Sequence, residues 1–350
     1  MHRKLGKFLA ASVVTCLFAL ALVSAASDVD SDLMAVRRVF PSIGPGLRAL
    51  HRGQDGNYYL LASPNVGIAV FDPQGNQLKV IGAPAPVPAN EKSAHAPIAF
   101  GEDCDVDSKG NLYVADRGYN QVNVFSPDGT LLRSMPFNSP VSLAALPEGE
   151  VAVTAPRGIH LITVFASTGR IAREFGDPEQ LSERADLNRY VSIGRLASDA
   201  HGNLFYGYTY LPEPMIRQYD RFGYAKQDFQ FTSIDAFSEA RATRKQIERQ
   251  EKRVEPPSLQ PILTAFGVDP ESGEVWIALH NTLLHFDKEG NRRSEYQIYT
   301  KDGARIEANV ILVEENRLLI GADPLGVYEF TRPDRNRSEN SPRFPQVALH

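Results

Sequence analysis

A two-turn signature recurs along the 350-residue chain: a polar turn with glycine, a short β-rich run, a second run ending in Phe or Tyr, then another polar glycine turn. Five copies carry both turns, at Gly56 and Gly75, Gly110 and Gly129, Gly149 and Gly169, Gly202 and Gly223, and Gly273 and Gly290, separated by 19, 19, 20, 21 and 17 residues. A sixth, degenerate copy runs from Asn316 to Phe330. Self-similarity at this period points to a repeat architecture, in which each unit buries its apolar faces only against its neighbours.

The clearest copy spans Val106 to Thr130. Its runs are rich in β-branched and aromatic residues and are bounded by Gly, Asn, Asp and Pro, which leaves no room for a helix. Each copy is therefore expected to be a small antiparallel sheet. In this copy strand a is Asp103 to Asp107, b Asn111 to Ala115, c Gln121 to Phe125 and d Leu131 to Met135. Ser126-Pro127-Asp128-Gly129 and Asp72-Pro73-Gln74-Gly75 put Pro where φ near −65° is wanted and Gly where φ can turn positive, fixing the c-to-d register.

Several b strands are apolar on both faces, as in Val275-Trp276-Ile277-Ala278-Leu279, so they need cover on both sides. Four-stranded sheets stacked around an axis provide it, which predicts an all-β, six-bladed β-propeller. The last copy supplies strands a (Asn309 to Val313), b (Arg317 to Gly321) and c (Val327 to Phe330) but no d. Ala35 to Phe40, ahead of the first blade, is expected to close the ring as that missing strand and so hide an open edge.

The stretch 107 to 125, Asp-x-x-Gly-Asn-Leu-Tyr-Val-Ala-Asp-Arg-Gly-Tyr-Asn-Gln-Val-x-Val-Phe, resembles an NHL repeat, and the other copies resemble weaker versions of it. The resemblance covers roughly residues 39 to 330 and implies a propeller of the NHL and gluconolactonase-like kind. That fold hosts binding modules and enzymes alike, so the site must decide the function.

The first 25 residues read as a secretory leader: Arg3, Lys4 and Lys7 precede the apolar stretch Phe8 to Val23, and Val23-Ser24-Ala25 puts small residues where a signal peptidase reads. The expected location is periplasmic or extracellular, with no membrane attachment after cleavage. Losing those three basic residues makes the net charge of −5 more negative, which argues against a nucleic-acid partner. Cleavage also removes Cys16, leaving Cys104 as a buried core residue without a disulfide partner. Residues 35–332 are expected to form one domain that acts as a monomer.

Two segments depart from the repeat. Ser233 to Glu255 has no internal turn residues and stops at Pro256-Pro257, which predicts a largely solvated helix inside an insertion at 231–260, between blades four and five. It reads as surface decoration, a lid or a docking element. The Pro- and Ala-rich segment Gly82 to Pro97 reads as an irregular crossing over one rim, and 333–350 as a disordered tail.

Loops on a rigid scaffold are where binding residues gather. In propellers of this kind ligands meet the face where the b-to-c connections and the starts of the a strands ring the channel. The candidate ligand-binding residues are therefore Asn65, Asp116, Arg117, Tyr119, Asn120, Arg157, His160, Tyr208, Tyr210, His280, Asn281 and Asp323. Asp116 and Asn120 also have structural work open to them, because Asp and Asn bond nearby backbone in turns. The resemblance implies an alternative, a hydrolase or lyase dependent on a divalent cation. Its metal-binding carboxylate would stand in the first blade, where this chain has Ser42-Ile43-Gly44-Pro45, and isoleucine cannot coordinate a metal. The expected function is thus an exported scaffold binding a protein, peptide or glycan, with no catalytic residue, metal or cofactor assigned.

Overall fold

The computed structural model describes residues 31–62, 67–83, 97–230, 234–253 and 255–333. The leader, Asn65, the rim crossing over 84–96 and the tail after 333 lie outside them. Six antiparallel sheets stand in a ring. Their innermost strands are Leu47–Arg52, Gly101–Val106, Ser142–Ala145, Gly194–Ser198, Ala265–Val268 and Val310–Val313. Each meets the next around the circle, and the sixth meets the first.

All ten repeat glycines adopt positive φ, for example +79° at Gly110 and +96° at Gly129, a backbone region that disfavours any side chain with a Cβ. The aspartate opening the turn does the rest. Asp107 accepts from the backbone N–H groups of Lys109 and Asn111 and from the Asn111 side chain, and Asp199 does the same with His201 and Asn203. The Asp-x-x-Gly-Asn pattern is therefore a turn-building device.

The core lies in six seams between adjacent blades, each filled by its own cluster of buried apolar side chains. The second strands are buried along their whole length, as at Tyr58–Ala62, Leu112–Asp116 and Val275–Leu279. Outermost strands such as Gln77–Ile81 are mostly exposed. Cys104 is fully buried in the seam between blades one and two, where burial pushes its thiol well up.

The ring closes as the sequence predicts. Arg37–Val39 pairs antiparallel with Gly326–Thr331 as the fourth strand of blade six. The preceding residues add something the sequence reading did not include: Ser31–Met34 runs parallel to Arg292–Tyr299 as a fifth strand on blade five. The chain steps from one blade to the other at Ala35 and Val36, whose N–H groups donate to Tyr299 O (2.9 Å) and Glu329 O (2.8 Å).

Antiparallel alternation puts the a-to-b and c-to-d turns on one face of the ring and the b-to-c and blade-to-blade connections on the other. The predicted helix is present as Ile234–Glu251, between blades four and five, and its described side chains are mostly exposed, with Thr243 and Ile247 buried. A second, seven-residue helix, Ala185–Val191, between blades three and four was not anticipated. Glu251 joins the two connections by accepting from Ser182 Oγ (2.8 Å) and the Glu183 N–H (2.9 Å).

Candidate functional site

The innermost strands enclose an axial cavity of about 940 Å³. Alternate residues of a strand face the same way, so the polar positions of the a strands converge on the axis. Asp103 and Asp105 share a face of blade two and meet His51 from blade one, with His51 Nδ1 3.0 Å from Asp105 and Nε2 4.0 Å from Asp103. Asp103 also accepts from Ser142 Oγ (2.6 Å) and the Leu143 N–H (3.1 Å), and Asp105 accepts from the Ala145 N–H (2.8 Å), so the carboxylates stitch blade two to blade three. Ser142 in turn accepts from the Leu196 N–H of blade four at 3.0 Å.

Burial alone would lower the His51 pKa, but the charge and hydrogen bond of Asp105, with Asp103 behind it, raise it to about 9. Burial pushes the Asp103 carboxyl up, against the pull of His51, Arg195, Ser142 and Leu143. His51 is thus an imidazolium at neutral pH. A histidine whose folded pKa exceeds its ordinary 6.5 stabilises fully below that value and loses the contribution as pH rises through about 9. The ring is expected to lose on the order of 2 kcal/mol between those pH values, after allowance for channel water. His51→Gln should flatten the slope of unfolding free energy against pH, and an unchanged slope would refute the assignment.

Above this cluster Glu102 bridges Arg48 and Arg117. The Arg48 guanidinium lies over the Phe100 ring, 4.8 Å from its centroid. At the opposite end Arg52 pairs with Glu314 at 3.0 Å, and Glu314 is shared with Tyr58 and Arg317.

None of the described candidate residues lines the cavity, which is walled by the a strands. Asp116 is fully buried and accepts from the backbone N–H groups of Ala99, Phe100, Gly118 and Tyr119, so it ties its own connection to the segment that enters blade two. Arg117 pairs with Glu102, Tyr119 is exposed, and Asn120, at φ 53°, accepts from the Ser139 N–H. Arg157 is exposed, and His160 lies 3.5 Å from Asp177. Tyr208 is buried and accepts from Arg217, and Tyr210 packs on Tyr190 with ring centroids 5.0 Å apart and is pushed to about 12 by burial. His280 has φ 56°, Asn281 donates to Gln297, and Asp323 accepts from the Gly46 N–H. Most of these residues are held by bonds within the rim, while Arg117 and Tyr210 both stand near Glu102.

Ile43 is buried in the seam between blades six and one, away from the cavity. Among the described residues no group of three or more His, Cys, Asp or Glu is arranged to hold a metal ion. The sequence reading missed His51, Asp103, Asp105 and Arg195. The available signal was Asp103 and Asp105 at alternate positions of an inner strand, where apolar residues would be expected.

No protein-family model matches the chain, and no curated protein matches it. Solved structures with the same architecture include a streptogramin B lyase (14% identity, TM-score 0.51, covering 85% of this chain and 86% of that one). A gluconolactonase from Xanthomonas campestris is similar at 14% identity and TM-score 0.55, covering 84% of this chain and 89% of that one. An auxiliary nutrient binding protein from Bacteroides ovatus matches at 11% identity and TM-score 0.54, covering 82% of this chain and 69% of that one. Likeness at this level of identity concerns the fold, and the fold is a six-bladed β-propeller.

Proposed function

We propose that this chain is an exported binding scaffold that takes a protein, peptide or glycan ligand at its channel. The observation that carries the reading is the axial cavity, whose charges are already fixed by bonds within the protein. Preorganised polar groups in a concave site supply orientation and specificity with little reordering. Export rests on the leader-like first 25 residues. The similar structures bear the names of enzymes and of a binding protein, so they favour neither.

The leaderless chain should show saturable binding on a glycan and peptide array and no turnover across lactone, ester and amidated-peptide panels. Steady turnover of any panel member that is abolished by His51→Gln would overturn the reading in favour of catalysis.

A further inference from the structure

Residues just ahead of the innermost strands rim one mouth of the channel. On blade two that residue is Phe100, before Gly101–Val106, and on blade four it is Tyr190, on the helix that leads into Gly194–Ser198. Phe100 is 38% exposed, and the Arg48 guanidinium backs its ring. Tyr190 packs on Tyr210, from the b-to-c connection of blade four. Both of these rings are half-buried, whereas Tyr58, Tyr113, Tyr206 and Tyr208 in the strands are closed off from solvent. Tyr210 stands close enough to feel the charge of Arg195 on the channel wall and of Glu102, two residues beyond Phe100. Aromatic surface from blades two and four thus borders the same mouth.

The ionic groups at this mouth offset one another. Arg48 and Arg117 share Glu102, His51 is held by Asp105, and Arg195 attracts Asp103 while donating to the Arg48 carbonyl at 3.2 Å. The carboxylate excess of the lining lies at the opposite end, beyond the innermost strands, at Asp107, Asp199, Asp269, Glu271 and Glu314. A ligand at the aromatic mouth therefore meets planar donors and acceptors of both signs with little net field, so charge on the ligand gains little there. The insertion holds the segment that carries Tyr190: Arg184, at the N-terminus of that helix, donates to the Gln250 carbonyl at 2.6 Å, and Glu251 accepts from Ser182 and Glu183.

We propose that this mouth is a binding site for an uncharged glycan, with pyranose rings stacked on Tyr210 and Phe100 and hydroxyls bonded by Glu102, Arg48 and Arg195. This rests on the binding reading above and chooses among its ligand classes. A pyranose whose hydroxyls are equatorial presents axial C–H groups on its faces, which pack on the negative face of an aromatic ring. Its edge carries O–H groups that both donate and accept, so it bonds a carboxylate and a guanidinium equally well. Apolar rings with a few fixed polar groups beside them form the usual lining of a small-molecule site.

The test is calorimetric titration of the leaderless chain with cellotetraose and N-acetylchitotetraose, both neutral, and with tetragalacturonate, tetralysine and the amide of N-acetyl-tetraglycine. One of the neutral tetrasaccharides should bind about tenfold more tightly, or better, than the two charged probes and the neutral peptide. Tyr210→Ala and Phe100→Ala should each weaken it by about tenfold, as loss of an aromatic anchor does. Tyr210→Phe, which keeps the ring, should stay within about threefold of the unsubstituted chain. Phe100 is exposed, so its variant covers the case of a Tyr210→Ala chain that does not fold. Preference for a charged probe or the peptide, binding undiminished by both alanine variants, equal damage from Tyr210→Phe and Tyr210→Ala, or no binding of either neutral tetrasaccharide would each overturn the glycan site. Saturable binding of an array peptide without any glycan would do the same and leave the scaffold reading standing, whereas an array with no ligand at all, or turnover of a panel substrate, would sink that reading itself.

Discussion

Removing residues 31–40 is expected to abolish cooperative folding of the ring. The segment contributes the outer strand of blade six, a fifth strand on blade five, and two apolar plugs, Ala35 and Phe40. Phe40 is 3% exposed and packs against Tyr58 and Phe71 with centroids 5.1 and 5.0 Å apart, in the seam where last blade meets first. Truncating a buried Phe typically costs about 3–5 kcal/mol. Losing both strands as well brings the penalty to the scale of a whole domain's stability, about 5–15 kcal/mol. The deletion should give aggregated protein or a broad, non-cooperative melt, because two sheet edges are laid bare. Phe40→Ala is the graded version, and its midpoint should fall by several degrees. A sharp transition for the deletion, unchanged from that of the full chain, would show that the ring holds without its strap.

The second large effect is expected at Arg332, at the end of blade six. Its side chain is 2% exposed, contacts Asp269 and Glu274 at the first turn of blade five, and donates to the carbonyl of Glu314. Burial would raise the Asp269 pKa, but the Arg332 hydrogen bond, the backbone donors and the Arg332 charge hold it below the ordinary value. Removing the cation leaves that carboxylate stranded, which costs about 3–5 kcal/mol at buried pairs. Arg332→Met should therefore lower stability sharply at neutral pH. A carboxylate with a depressed folded pKa stabilises above its unfolded pKa and loses the contribution as pH falls through the folded one. The difference between wild type and Arg332→Met should accordingly shrink in acid below about pH 4. Asp269→Asn in the Met background should recover part of the loss, since it removes the stranded charge. Full additivity of the two substitutions would contradict the pairing.

The contrast between fold and site is physical. Turn glycines are forced by backbone sterics, so Gly110 and Gly129 announce a hairpin wherever they stand, and an incomplete sixth copy announces a borrowed strand. The parallel strand Ser31–Met34 has no such marker, since it joins an edge that is already four strands wide and follows no hairpin turn. The short helix Ala185–Val191 is held by its surroundings: Asn188 accepts from the Leu181 and Ser182 N–H groups, and nothing in its composition sets it apart from a polar loop. The site was harder still. Arg195 sits in Gly194-Arg195-Leu196-Ala197-Ser198, an ordinary alternation of a half-buried strand. Its bond to the Arg48 carbonyl arises only when blade four faces blade one across the axis, a relation between residues 147 positions apart that no local pattern encodes.

The strap also sets a clock on folding. Arg37 meets Glu329 across 292 residues, so the opening strand leaves the ribosome long before its partner exists. At roughly 5–20 residues per second that wait lasts about 15–60 s. Throughout it Ala35 and Phe40 are open to wrong partners, and slower translation lengthens their exposure.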